Sequence, residues 1–331
     1  MYPHALDVWR CPSCRGALAL HAETRDGEDV LTGWLDCAAC SARYPIANGI
    51  PRFVPPENYS TNFGFQWNRF AELQVDSVQH NTTSRDRFFL QAGIGPGDLK
   101  DKRVLEAGCG GGRFSEIALE SGAELFAVDL SNAVDKNRSL HRGHPRLHLA
   151  QASILSLPVP PEAFDLVFCF GVLQHTPSPS ASFRALAPLV RRGGRLAVDV
   201  YAAHPKQVLH LKYALRPFTR SLSDEQLLAA IERWAPSLLA FAERLRRVPR
   251  IGRALTRIVP LKIHDGIMDH EPAAERLPLA VLETFDALSP AYDRPRPRWL
   301  VQRWFERAGF VGVETRSIRN GLNYGSGVKP S

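Results

Sequence analysis

The sequence predicts an α/β protein: a mostly parallel sheet with crossover helices, preceded by a small cysteine-pinned unit and interrupted late by a block of helices. Three observations carry this prediction. Four of the six cysteines fall in "CPSC" and "CAAC" within the first forty residues. The stretch "RVLEAGCGGGRFSEIALE" passes from an apolar strand pattern through glycines into a helical pattern with Phe114, Ile117 and Ala118 on one face. From about 204 to 290, leucines recur at helical spacing among many arginines.

Bulk properties agree. A chain of 331 residues with 44% apolar residues can bury one good core and a second, smaller unit. No run approaches the roughly 18 apolar residues of a membrane span, and "MYPHALDVWR" lacks the profile of a secretion signal, so a cytoplasmic location is expected. The net charge of +7 is local: Lys206 to Pro260 holds 11 Lys or Arg against 4 Asp or Glu, and the remainder balances.

The first unit spans 1–55. Cys11, Cys14, Cys37 and Cys40 form two Cys-x2-Cys pairs, a spacing that wraps four thiolates around one zinc ion. The alternative, a pair of disulfides, is disfavoured in a chain without a secretion signal. So small a segment has little core of its own, so the metal would supply much of its folding free energy. Four thiolates leave zinc no open position, which argues against catalysis there. "YPIANGIPRFVPP" then ends the unit with proline and glycine punctuation. These residues resemble the small zinc-ribbon proteins that partner tRNA and protein methyltransferases, in which the ribbon is a scaffold or activator. That resemblance implies a protein partner for this ribbon as one option.

The glycines of the strand-to-helix junction define the central unit, 96–203. They bare main-chain N–H groups that any Cβ would cover, at a helix N-terminus that favours polar or anionic groups. The dinucleotide fingerprint Gly-x-Gly-x-x-Gly fails, since its third position falls on Arg113 or Ser115. The spacing fits acid-x-Gly-x-Gly-x-Gly, with Glu106, Gly108, Gly110 and Gly112. Here the chain resembles the class I methyltransferases that use S-adenosylmethionine. Gly111 reads as a packing glycine, and Cys109 and Cys169 as small core residues.

The resemblance continues. "LFAVDLS" is a second strand ending in Asp129, where a carboxylate can accept both ribose hydroxyls. "QASILSLPVPPEAFDLVFCFGVLQHTP" and "LVRRGGRLAVDVY" look like the family's fourth strand with its downstream loop and its Gly-Gly turn into the fifth. The implied fold is a Rossmann-like seven-stranded class I methyltransferase sheet, with an N-terminal zinc ribbon and a helical cap insertion. The implied cofactors are S-adenosyl-L-methionine and zinc. Leu130 beside Asp129, and Ser153 with Ile154, are the further adenosine-side candidates; Ser153 stands where the family often has an acid.

Methyl transfer needs an acceptor atom held in line with the sulfonium methyl and water excluded; a base is optional. His175 in "GVLQHTP" follows the fourth strand and is the candidate base, with pocket wall or neither role as alternatives. Between ribbon and glycine loop, the segment 56–95 contains "NFGFQWNRF". Its aromatics read either as a packing seam or as a lid in which Trp67 faces the sulfonium and Gln66 bonds the methionyl end.

The cap, 204–290, opens with a capping box, Ser223 to Gln226, and shows an interruption at Pro236 and arginines at 244, 246, 247, 250, 253 and 257. Its basic face reads as solvated exterior, as a site for an anionic substrate or carrier, or as an RNA or membrane surface. The last segment, 291–331, gives a helix with Val301, Trp304 and Phe305 on one face, then closing strand structure. Tyr292 and Asp286 flank a loop that could reach the pocket.

Three functions compete. The first is a methyltransferase for a small-molecule or carrier-linked acceptor. The second is an RNA methyltransferase gripping phosphates through ribbon and cap, against which the ribbon shows no basic excess. The third is a non-enzymatic cofactor-binding adaptor, against which the glycine triad and Asp129 stand.

Overall fold

The computed structural model describes residues 1–55, 58–203, 211–263, 273–318 and 321–331. The first seven residues of the expected cap, and 264–272 within it, lie outside the described residues. The chain divides into two compact units, 1–202 with 292–331, and 203–291.

The first unit begins with a four-stranded antiparallel sheet in the order β1 (Leu18–Asp26), β2 (Asp29–Cys37), β3 (Arg43–Ala47), β4 (Ile50–Pro51). This sheet does not stand alone. Trp9 is fully buried with its ring 5.1 Å from Phe126 of the central sheet. Arg52 bridges Gln151, and the Phe53 N–H donates to the Gln151 carbonyl. A ribbon of this size cannot enclose its own core; here it completes one by sharing residues such as Leu35 and Tyr44 with Phe126 and Phe164.

The central sheet has seven strands: β5 (Arg103–Ala107), β6 (Glu124–Asp129), β7 (Leu147–Gln151), β8 (Phe164–Cys169), β9 (Val190–Tyr201), β10 (Val311–Ile318) and β11 (Leu322–Val328), in the order β10-β11-β9-β8-β5-β6-β7. The pairs among β5 to β9 are parallel, and β11 runs antiparallel to β9 and β10. It is the Rossmann-like seven-stranded arrangement. Buried on both faces, the central strands need no alternation, and "VLEA" and "DLVFC" read accordingly.

Helices α1 (Thr61–Phe70), α2 (Thr83–Ala92), α3 (Arg113–Glu120), α4 (Val134–Leu140) and α5 (Pro179–Leu186) belong to this unit. The expected Gly193-Gly194 turn is instead an irregularity inside β9, where the register with β8 shifts. A Cβ on Gly194 would come within 3.0 Å of the Phe164 carbonyl, so glycine lets two backbones approach there.

The second unit holds α6 (Lys212–Thr219), α7 (Asp224–Arg246) and α8 (Ala273–Leu288). The capping box is present: the Gln226 N–H donates to Ser223 Oγ and the Ser223 N–H to Gln226 Oε1. The interruption expected at Pro236 does not occur, and α7 runs through it. Its buried face, Leu227, Leu228, Ile231, Ala235, Leu239 and Ala242, extends on both sides of the proline. Packing of that face offsets the roughly 3 kcal/mol a mid-helix proline costs. Arg244, Arg247, Arg250 and Arg253 are exposed. Helix α9 (Arg298–Arg307) returns to the first unit and buries Val301, Trp304 and Phe305.

Candidate functional site

The site lies at the carboxyl ends of β5, β6 and β8. Strand β5 sits between β6 and β8, where the order of connections reverses, which is where open α/β sheets open a crevice. The glycine loop runs from β5 to α3 with Gly108, Gly110 and Gly112 at φ of +87°, +50° and +99°. Each takes a conformation that L residues with side chains rarely adopt. Space is also short: a Cβ on Gly108 would lie 2.4 Å from a Val172 methyl, and one on Gly110 would lie 3.2 Å from the Trp67 ring. Gly111 packs on Ala71, in line with its reading as a packing glycine.

Asp129 ends β6 and ties the loop to it. Its Oδ2 accepts the Gly110 N–H (2.9 Å), and its Oδ1 accepts the Ser131 N–H (2.8 Å) and hydroxyl (2.7 Å). Burial raises the Asp129 carboxyl above the ordinary range, opposed by the hydrogen bonds from Ser131 and Gly110.

Glu106 is placed differently. It is 2% exposed and accepts a 2.6 Å hydrogen bond from Ser115 Oγ, which in turn accepts from Asn137 Nδ2 at 2.8 Å. It braces the first turn of α3 from inside. Burial pushes its carboxyl up to about 8; the Ser115 hydrogen bond opposes the rise and the Asp129 charge adds to it. An unfolded chain ionises this group near 4.5. Between those values the folded state keeps a proton that the unfolded chain has released, so stability falls as pH rises through the window. Glu106→Gln is expected to flatten that decline, as read by urea unfolding at about pH 5 and about pH 8.

The remaining adenosine-side candidates lie on adjacent loops. The Leu130 carbonyl accepts from Asn58 Nδ2 and Gln151 Nε2. Ser153 spends its Oγ on the Leu155 N–H, and Ile154 is buried beside it.

Helix α1 inverts the usual pattern. It buries Asn62, Gly64 and Gln66 while Phe63, Phe65 and Trp67 stay partly exposed. Gly64 lies close against the loop after β6: a Cβ there would lie 1.9 Å from Asn132 Oδ1, so the Asn132 side chain would have to move. Gln66 is 2% exposed and its Oε1 has no hydrogen-bond partner; Gln174, fully buried in the loop after β8, has none at either amide atom. Buried amides left without partners are unusual in folded proteins.

His175 is 5% exposed, with Nδ1 3.0 Å from the Tyr292 carbonyl and its ring 5.0 Å from Phe63 and 5.3 Å from Tyr201. A carbonyl only accepts, so Nδ1 carries a proton, which in the neutral tautomer leaves the lone pair on Nε2. Tyr292 also stacks edge-on against Tyr59 at 5.3 Å. Tyr59, Phe63, Tyr201 and Tyr292 thus gather around His175, whereas Asp286 lies on α8 of the second unit.

The sequence singles out neither Gln174, Tyr59 and Tyr201 nor the pair of Asp199 with Arg87. Asp199 is fully buried on β9, accepts the Gly171 N–H and is paired with Arg87 Nη2 of α2 at 2.6 Å. It fixes the loop that carries His175. Its only sequence signal was a carboxylate inside the apolar run "LAVDVY".

The four cysteines of the ribbon converge. Their sulfurs all lie within 4.8 Å of one another, with Cys14–Cys37 at 3.4 Å and Cys11–Cys40 at 3.6 Å. These separations are well beyond the roughly 2.05 Å of a disulfide. A tetrahedral zinc with Zn–S of about 2.3 Å places sulfurs about 3.8 Å apart. Burial disfavours the Cys11 thiolate, but the Tyr44 hydroxyl and the Cys14 and Ser13 N–H groups lower its pKa to about 6.

Residues 105–198 match the family model described as a methyltransferase domain. Over these residues the chain is similar to methyltransferase domains. Among curated proteins, it is 31% identical over 149 residues to a ubiquinone biosynthesis O-methyltransferase from Alkalilimnicola ehrlichii, covering 42% of this chain and 60% of that one. It is 33% identical over 116 residues to the protein of the same name from Aeromonas salmonicida, covering 34% and 49%. The chain therefore spans only about half to three-fifths of those relatives' length. Among solved structures, magnesium protoporphyrin IX methyltransferase from Synechocystis is similar at 17% identity and a TM-score of 0.43, covering 82% of this chain and 96% of that one. No helix among the described residues is long and apolar enough to cross a membrane.

Proposed function

We propose that this chain is an S-adenosylmethionine-dependent methyltransferase for a small-molecule or carrier-linked acceptor, with a zinc ion in the four-cysteine cluster. The observation that carries the reading is the glycine loop bonded through the Gly110 N–H to Asp129, at the sheet's switch point. The methyl donor fits the residues present: main chain bared at Gly108 to Gly112, a carboxylate at the end of β6, and buried amide atoms of Gln66 and Gln174 without partners. The domain family and the O-methyltransferase relatives support a small acceptor.

Asp129 would hold the ribose. At least three of a carboxylate's roughly four acceptor directions are already used, so a two-point grip on the hydroxyls requires the Ser131 hydroxyl to turn away. Leu130, Ser153 and Ile154 would wall the adenosine. Gln66 and Gln174 would bond the amino-acid end, and Trp67, lying against Gly110, would close over the donor and exclude water. When bound, the donor supplies an electrophilic methyl on a sulfonium. The aromatic enclosure of Tyr59, Phe63, Tyr201 and Tyr292 would orient a planar acceptor. His175 Nε2 would take the acceptor's hydroxyl proton while Nδ1–H stays bonded to the Tyr292 carbonyl.

His175→Ala is expected to lower kcat by about 100-fold or more while donor affinity stays nearly unchanged; unchanged turnover would make the residue a wall and not a base. The function itself is tested by incubating the protein with methyl-labelled donor and either a panel of phenolic and carboxylic small molecules or total RNA. Label in the small-molecule fraction supports the reading. Label in RNA, with retention that falls steeply with salt, would replace it.

A further inference from the structure

A second cluster of metal-ligating side chains lies away from both the glycine loop and the cysteines. His4 sits on the turn Pro3–Asp7, Glu124 begins β6 and His148 lies on β7. One ligand atom from each falls within 4.8 Å of the other two. They line a cavity of about 250 Å³ together with Asp101, Pro145 and Arg146.

His148 is the telling member. It is 3% exposed and neither ring nitrogen has a hydrogen-bond partner. Its ring is held between Phe126 at 4.6 Å and His4 at 4.9 Å. Its Nε2 faces Glu124 Oε1 at 3.5 Å, too far for a sound hydrogen bond. That separation does suit two donors sharing an ion at about 2.0–2.1 Å each, which places them about 3.0–3.5 Å apart. Glu124 is already oriented for it: Oε2 accepts from Arg103 Nε at 3.1 Å, which leaves Oε1 on the cavity side. The nearby Arg146 cation is engaged by Asp101 and by the Gly122 carbonyl, both at 2.8 Å.

We propose that His4, Glu124 and His148 form a second divalent-metal site, of the class that takes zinc or nickel, stapling the N-terminal turn to the outer strands. Two imidazoles and one carboxylate are the donor set such borderline ions prefer, and they leave one or more positions to water. His4 is exposed, and its ring would turn in to complete the site when the ion binds. The staple is independent of methyl transfer, and nothing in the reaction passes through it.

The test uses untagged full-length protein with the cysteine site loaded with zinc. After dialysis against micromolar zinc, metal analysis is expected to find two ions per chain in the wild type. His4→Ala and Glu124→Gln, both at positions that leave the core untouched, are expected to hold one. Calorimetric titration with nickel ion alone is expected to show one site in the wild type, weakened more than about 10-fold in either variant. Added nickel should raise the wild-type melting temperature and leave the variants' unchanged. One zinc per chain in the wild type, or two in His4→Ala, would overturn the proposal and leave the cluster as aromatic packing.

Discussion

Asp129→Ala is expected to weaken S-adenosylmethionine binding by about 100-fold or more. Two effects combine. A hydrogen bond to a charged acceptor contributes about 1.5–3 kcal/mol, and each 1.4 kcal/mol is tenfold in affinity. The same carboxylate also holds the Gly110 N–H and Ser131 in place, so its loss frees the loop that the donor must lie against. Calorimetry checks the affinity, and circular dichroism checks that the fold survives. Asp129→Asn keeps one acceptor oxygen and should fall between the two. Wild-type affinity in Asp129→Ala would remove the residue from the site.

Metal removal is expected to have the largest effect on stability. A structural zinc contributes about 10–16 kcal/mol of apparent binding free energy in small domains, more than a ribbon of this size holds in its own core. Cys37→Ser, at a buried sulfur, or a strong chelator at neutral pH should therefore disorder the ribbon at ambient temperature. The change should reach further than the ribbon, because Trp9, Leu35 and Tyr44 share a core with Phe126 and Phe164. Tryptophan fluorescence and near-ultraviolet dichroism report it, since Trp9 is fully buried against Phe126. A chelated protein with unchanged spectra and melting temperature would show that the cysteines need no ion.

What the sequence made legible was local. Bare glycines at a strand-to-helix junction, Cys-x2-Cys pairs and a capping box are each set by a few consecutive residues whose backbone demands are visible in their side chains. Helix α3 starts at Arg113, directly after the glycines, because Gly112 adopts the left-handed conformation that ends the loop. The misses were long-range. Arg87 and Asp199 are 112 residues apart, and nothing local marks them as a pair. Pro236 would end an isolated helix, and only the buried face of α7 keeps that helix whole. Gly194 reads as part of a turn because one reason for it, the close backbone of β8, is absent from its own stretch of chain, whereas Gly193 takes a left-handed φ of +73°. The site was legible in part: Asp129 and the glycines could be named, whereas the grouping of Tyr59, Phe63, Tyr201 and Tyr292 around His175 draws on four separate segments.

The central claim is that the crevice between the glycine loop and Asp129 seats an adenosyl sulfonium donor. Titration of the full-length protein with S-adenosylmethionine, and in parallel with NAD, tests it most directly. Saturable one-to-one binding of S-adenosylmethionine, with none of the dinucleotide, is the expected result. Heat from NAD alone, or from neither, would contradict the claim.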